Sequence, residues 1–493
     1  MLLLGIDIGT SSIKVAVVDA ATQETICTVQ YPDTETPIIA LQKGWAEQSP
    51  NDWWEHTKLA IQKANATKQY NPTDIAAIGI AYQMHGLVCV DKNQNLLYNS
   101  IIWCDSRAVT IGNDAFNKLG SNYCLSHLLN SPGNFTASKL AWIKQNEPVV
   151  YEKIDKIMLP GDYIAMKFSN TISTSISSLS EGMFWDFKNN CLSDELFQYY
   201  GFDKNFIPSI QDVFSSHGEL SSSIASELSL TAGIPVTYKA GDQPNNALSL
   251  NVFEPGEVAA TAGTSGVIYG VSDQLKYDPL SRVNSFAHVN HSDHLNRIGI
   301  LLCINGTGIL NSWVKKIAGG NLSYNQINEA AETISAGSNG LKMLPFGNGA
   351  ERMLENKTVN AHINHIDLNI HSASHIFRAA QESIAFAFRY GLDILKENGT
   401  IPTVIRAGKA NMFQSTVFQQ AFVDVTNVPV ELYKTDGSVG AAIGAGIGLG
   451  VYASSKEAFS INEPLAIIEP KNASTYNTLY GEWKSYLEKQ MES

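Results

Sequence analysis

The chain has 493 residues, 44 % of them hydrophobic and 16 % charged, and its 34 Lys and Arg against 47 Asp and Glu give a formal charge of −13. At about 150 residues per domain this allows two to four domains, and aromatic and β-branched residues spread along the length exclude a disordered chain. An acidic balance without a basic patch excludes nucleic acid as a partner, because Lys and Arg on phosphates carry that affinity.

Leu2–Ile8 is an apolar run that ends in Gly9-Thr10-Ser11-Ser12, after which Ile13–Asp19 resumes as a β-rich segment. Strand, Gly-containing turn and strand make a hairpin signature. The run lacks a basic leader and reaches Asp7 within seven residues, so it reads as a strand and not as a signal peptide. Polar capping followed by helical spacing predicts a helix over Asn51–Ala64, and Ile75–Ala81 predicts a strand. Six cysteines lie far apart with no CxxC pair, which points to reduced, mostly buried thiols in a cytoplasmic protein and away from a zinc site or disulfide framework.

Val236–Ala240 predicts another strand, opening into Gly241 and Asp242. The hairpin pattern then returns 254 positions after the first: Gly256–Ala262 leads into Gly263-Thr264-Ser265-Gly266, and Asp273 stands at the same offset from its turn as Asp19. Copies near the start of each half suggest a duplicated, two-lobed chain dividing near residues 247–256. A helix over His375–Leu395 and a strand over Thr403–Ala407 follow. Strands alternating with helices throughout mean an α/β fold. The most membrane-like stretch, Gly440–Ala453, is Gly-rich and shorter than the roughly 18 apolar residues a span needs, so no membrane is expected.

Asp7 and Asp242 both stand at strand ends opening into Gly-containing loops, where α/β folds gather ligands. Phosphoryl transfer needs donors around the phosphates, a metal, and a carboxylate near the attacking hydroxyl. The two acids could divide the metal and base roles, and the two Gly-Thr-Ser turns could offer N–H groups and hydroxyls to phosphates. Each feature alone also has a structural reading: Asp242 as a helix cap before Pro244, Asp7 as a buried acid bonded to its own turn. Their joint occurrence favours the catalytic reading.

At this point the sequence resembles a family. Met1–Lys14 is similar to the first phosphate loop of the actin/hexokinase/Hsp70-type ATPases, and the details resemble the FGGY carbohydrate kinases, most nearly the xylulokinases. The matching segments run in order: Gly44–Pro50 with Asp52-Trp53-Trp54, Tyr82–Gly86, Trp103–Arg107, Leu159–Tyr163, Gly263–Gly266 and Gly437–Ala442.

The resemblance implies two RNase H-like lobes flanking a catalytic cleft: residues 1–250 binding sugar and 251–493 binding ATP. It implies Asp242 as general base, Asp7 as the Mg²⁺ holder, and Met84, His85, Trp103 and Gln243 beside Asp242 in the sugar site. Gly9, Thr10, Ser11, Lys14, Gly263, Thr264 and Ser265 would face the phosphates, and a homodimer is a family-level expectation. The expected reaction is ATP-dependent phosphorylation of a small sugar or polyol, D-xylulose first.

Three departures touch this expectation. Gly241-Asp242-Gln243 replaces the Gly-Asp-Asn usual in xylulokinases and looks more like the glycerol kinases. The family's Pro-Tyr-x-x-Gly-Glu-Arg-x-Pro segment is altered to Pro345–Met353. In the adenosine-side loop, Arg406–Asn411, only Gly408 and Asn411 keep the pattern, and Lys409 either reaches a phosphate or, the favoured reading, points to solvent. The competing expectations are a kinase for glycerol, gluconate or L-ribulose, a non-kinase ATPase, or a sugar sensor of the same superfamily.

Overall fold

The opening run forms the expected hairpin. Strand β1 (Leu2–Ile8) pairs antiparallel with β2 (Ile13–Asp19), and β3 (Thr25–Tyr31) extends it. β4 (Ile75–Tyr82) and β5 (Val236–Gly241) add in parallel on the other side of β1, giving the order β5-β4-β1-β2-β3. The computed structural model describes residues 1–492. β1 and β4 are almost wholly apolar because helices cover both faces of the sheet. On one face lies α1 (Pro50–Ala66), begun by Ser49, whose side chain accepts the N–H of Asp52, and by Pro50 in the first turn. Between β4 and β5 an excursion of about 150 residues carries α2 (Thr136–Asn146) and α3 (Ile176–Glu181).

β5 runs straight into α4 (Asp242–Ser249), and the chain then enters a second sheet. Its strands are β6 (Glu257–Ala262), β7 (Gly266–Ser272), β8 (Asn284–Ala287), β9 (Ile298–Ile304), β10 (Val404–Gly408), β11 (Val430–Tyr433) and β12 (Ala466–Ile468). They lie in the order β8-β9-β7-β6-β10-β11-β12. The inner five, β9-β7-β6-β10-β11, repeat the order and directions of the first sheet. These are the two lobes of the actin/hexokinase-like fold. The predicted long helix is present as α5 (Ala373–Glu397), two residues longer at each end and packed on β7 and β9.

β11 likewise runs into a helix, α6 (Gly437–Leu449), and the sequence echoes itself there: Tyr238-Lys239 closes on α4 as Tyr433-Lys434 closes on α6. The strands change sheet between Gly241 and Glu257, yet α6 crosses back and packs on α4 and on β1, β4 and β5 of the first sheet. Two glycines permit this. A β-carbon on Gly5 would stand 1.8 Å from the carbonyl oxygen of Ser438, and one on Gly79 would stand 2.0 Å from that of Ala441. Within the Gly- and Ala-rich residues 440–453, a β-carbon on Gly448 would likewise stand 2.0 Å from the carbonyl oxygen of Thr237, so that composition too answers to a backbone contact. Among the described residues no helix is long and apolar enough to cross a membrane. The expectation of mostly buried thiols holds for half of them: Cys27, Cys89 and Cys124 are buried, whereas Cys104, Cys191 and Cys303 are exposed. Cys104 lies in a turn and Cys191 and Cys303 lie in strands, a placement that spacing along the chain does not encode.

Candidate active site

Asp7 and Asp242 meet at the C-terminal ends of parallel strands. Asp7 pairs with Ala81 of β4, which pairs with Ala240 of β5, so one strand separates the two acids. That sets their backbones about 10 Å apart, at roughly 4.8 Å per strand. The Asp7 carboxylate lies against the start of α6, where a β-carbon on Gly437 would stand 2.3 Å from its Oδ2. Burial, then the charge of Asp436, raises Asp7 to about 6, against a lowering by Lys14. Burial, then the charge of Asp7, raises Asp242 to about 7, with the amides of Gln243 acting the other way. Asp242 opens α4, so the capping reading is half right: it stands in the first turn, where a carboxylate suits the helix dipole, but Gly241 occupies the cap position. Its Oδ1 is enclosed without a hydrogen-bond partner.

Met84 packs beside Asp242, and Glu181 joins that side of the site to the His85 backbone. A β-carbon on Gly241 would meet Met84 Cγ at 2.7 Å and Glu181 Oε2 at 2.8 Å. The His85 ring packs on Phe135 at 4.8 Å and on Phe286, from the second sheet, at 5.4 Å. Burial, then the charge of Lys139, lowers His85 to about 3, so the ring is neutral and its Nδ1 has no partner. Trp103, 54 % exposed, is moored by Nε1, which donates to Thr10 Oγ1 at 2.9 Å. The Thr10 hydroxyl in turn donates to Gln83 Oε1 at 3.1 Å, and Gln83 Nε2 donates to Gln48 at 3.0 Å. The Thr10 hydroxyl is thus engaged on the side of Trp103, while Gly9, closed by its N–H to the Ser12 carbonyl, and exposed Ser11 remain at the turn. Lys14 lies 3.6 Å from Asp436.

The second turn borders a cavity of about 410 Å³ lined by Gly263, Thr264, Asn311, Tyr324, Asn328 and Asn411, among others. Ser265 and Gly408 stand outside it; Gly408 ends β10 and its carbonyl accepts the N–H of Ala410 as the chain turns toward Asn411. The altered adenosine-side loop has a structural account. Arg406 pairs with Glu257 at 2.9 Å and Glu431 at 2.8 Å across the sheet, and Lys409 is exposed, as expected. In the altered Pro345–Met353 segment, buried Glu351 accepts the N–H of Asn305 at 3.2 Å and Arg352 Nε donates to the Ser281 carbonyl at 2.7 Å, anchoring it to the second lobe.

The donor set suits Mg²⁺ with ATP. Mg²⁺ is held by one or two carboxylates, water and substrate phosphates, and two enclosed, mutually repelling acids with a bare Oδ1 fit that demand. The cavity adds a buried Asn311 Oδ1 with no partner in the protein. Models of the FGGY family of carbohydrate kinases match residues 2–249 with the N-terminal domain and residues 258–449 with the C-terminal domain.

The chain belongs to the FGGY family of carbohydrate kinases.

It is an ATP-dependent carbohydrate kinase acting on a small-molecule substrate. This FGGY kinase is 28 % identical to the xylulose kinase of Haemophilus influenzae, over 90 % of this chain and 89 % of that protein. It is 26 % identical to the xylulose kinase of Bacillus subtilis, over 98 % and 96 %. In fold it superposes on the xylulose kinase of Rhodospirillum rubrum with a TM-score of 0.89 at 23 % identity, covering 100 % of both chains. The gluconate kinase of Lactobacillus acidophilus gives 0.90 at 22 %, covering 100 % of this FGGY kinase and 98 % of that chain. Reading the sequence missed Glu181 and Lys139 in this FGGY kinase, because no motif marks them and their burial arises only from tertiary packing.

Proposed function

We propose that this kinase phosphorylates D-xylulose to D-xylulose 5-phosphate, with Asp242 as general base. One observation carries the assignment of the base: an enclosed carboxylate with a bare oxygen stands at the start of α4, within the field of a second acid and one residue after Gly241, which packs on Met84. Asp242 accepts the proton of the sugar hydroxyl, whose oxygen takes the terminal phosphoryl group of ATP as the bond to ADP breaks. Mg²⁺, held by Asp7, would neutralise charge on the phosphates when bound. Residues 1–250 bind the sugar: Met84, His85 and Gln243 supply polar and apolar contacts, and Trp103 gives a flat wall. Residues 251–493 bind ATP through Gly263, Thr264 and Asn411, with Gly9, Ser11 and Lys14 closing on the phosphates from the first lobe.

Xylulose as substrate is supported by the curated relatives at 26–28 % identity. Gly241-Asp242-Gln243, resembling glycerol kinases, is the feature that argues for a comparison. ADP release measured with D-xylulose, L-ribulose, gluconate and glycerol is expected to give the highest kcat/KM with D-xylulose. A tenfold preference for any other compound overturns the substrate, and no sugar-dependent ADP release overturns the mechanism.

The elevated Asp242 sets the acid limb. A carboxyl raised to about 7 is protonated below that pH and cannot receive the hydroxyl proton. The kcat/KM for sugar is expected to fall about tenfold per pH unit below 7 and to level off above it. A profile flat from pH 5 to 8 would remove Asp242 from the base role.

A further inference from the structure

The backbone of His85 has φ of 64°, the left-handed region that a residue with a β-carbon enters at a cost. Two ionisable side chains from the excursion between β4 and β5 hold it there. Glu181, the last residue of α3, accepts the His85 backbone N–H on Oε1 at 3.0 Å. Lys139, in α2, donates from Nζ to the His85 carbonyl at 2.8 Å and to the Ile102 carbonyl at 3.0 Å, one residue before Trp103. Thr136 Oγ1 adds a weaker donation to His85 at 3.4 Å. Lys139 is 0 % exposed and Glu181 1 %, and among the described residues neither forms an ion pair.

Burying two ionisable groups in this way is unfavourable for the fold itself. Burial pushes Glu181 well above the usual carboxylate range and Lys139 below the usual amine range, and apolar residues of similar volume fill such sites at least as well. What the two groups supply is geometric. Between them they grip both backbone groups of His85 and one carbonyl of the Trp103 loop, fixing the two walls relative to each other. Burial lowers Lys139 to about 7, and the neutral amine still keeps two N–H donors for the two carbonyls.

We propose that Lys139 and Glu181 are positioning residues that lock His85 and Trp103 in their sugar-binding arrangement, setting sugar affinity without touching the sugar. The inference rests on the reading of His85 and Trp103 as sugar contacts.

The full-length enzyme tests both layers. Lys139→Met and Glu181→Leu are each expected to raise the KM for sugar tenfold or more while leaving the KM for ATP within twofold. Glu181→Gln keeps an oxygen for the His85 N–H and is expected to stay within threefold of wild type. In a His85→Ala background, Glu181→Leu is expected to add less than twofold, because its effect runs through His85. The Glu181 pair carries the test alone if Lys139→Met does not fold. Sugar KM unchanged in Lys139→Met and Glu181→Leu but raised in His85→Ala overturns the positioning role and leaves the sugar site standing. An equal rise in both KM values also overturns it, by showing a general structural role. If His85→Ala leaves sugar KM unchanged, the sugar-site reading fails and takes this inference with it.

Discussion

Asp242→Asn is expected to lower kcat by about 10²–10⁴-fold, the range lost with a general base, while sugar and ATP still bind. The same substitution is expected to stabilise the protein in a pH-dependent way. Folded Asp242 keeps its proton to about 7, whereas the unfolded side chain releases it near 3.8. The folded state therefore binds more protons between those values, and stability fully present below about 4 is lost as pH rises through 7. Asn carries no charge to bury, so its advantage over wild type is absent at pH 4 and complete above 7. An apparent Tm higher by roughly 2–4 °C at pH 8 is expected. Retention of a tenth or more of kcat, or a lower Tm at pH 8, would be incompatible with this role.

Gly5→Val and Gly79→Val should each cost at least about 3 kcal/mol, the overpacking range for sites that cannot relax. The obstacle is backbone: the new β-carbon would sit 1.8 Å from the Ser438 carbonyl oxygen in one case and 2.0 Å from that of Ala441 in the other. Neither the central strands nor α6 can yield without displacing the start of α6 from Asp7, so activity is expected to fall with stability. Gly481→Ala is the contrast. It lies in the helix Ala473–Glu492 with nothing within 4 Å of a new β-carbon, and is expected to gain about 0.5–1 kcal/mol. Thermal melts of the three variants check this. Gly5→Val and Gly79→Val melting like wild type would rule out the close packing of α6 on β1 and β4.

Much of the site is legible in the chain because phosphate loops and strand-end acids use local signals. The turn after Asp7, the acid after Gly241 and the turn at Gly263 each announce themselves by glycine beside a polar residue, and the ordered motifs tie them together. Lys139 gave no such signal: within Thr-Ala-Ser-Lys-Leu-Ala-Trp a lysine reads as a solvated helix face, and only its docking against the His85 carbonyl reverses that. Arg406 departs from the adenosine-side loop pattern, and its cross-strand partners Glu257 and Glu431 account for it as a rivet of the sheet. The half-exposed set of cysteines was equally opaque, since spacing excludes metal sites and disulfides but does not encode depth.

The return of α6 to the first sheet has a consequence for biosynthesis. When β5 leaves the ribosome, one face of the first sheet has no cover, and the helix that will close it is encoded about 200 residues later. At 5–20 residues per second the nascent lobe waits roughly 10–40 s with that apolar strip bare. The two halves are thus not separately heritable modules, and a split placed near residue 250 would yield a fragment in need of a chaperone.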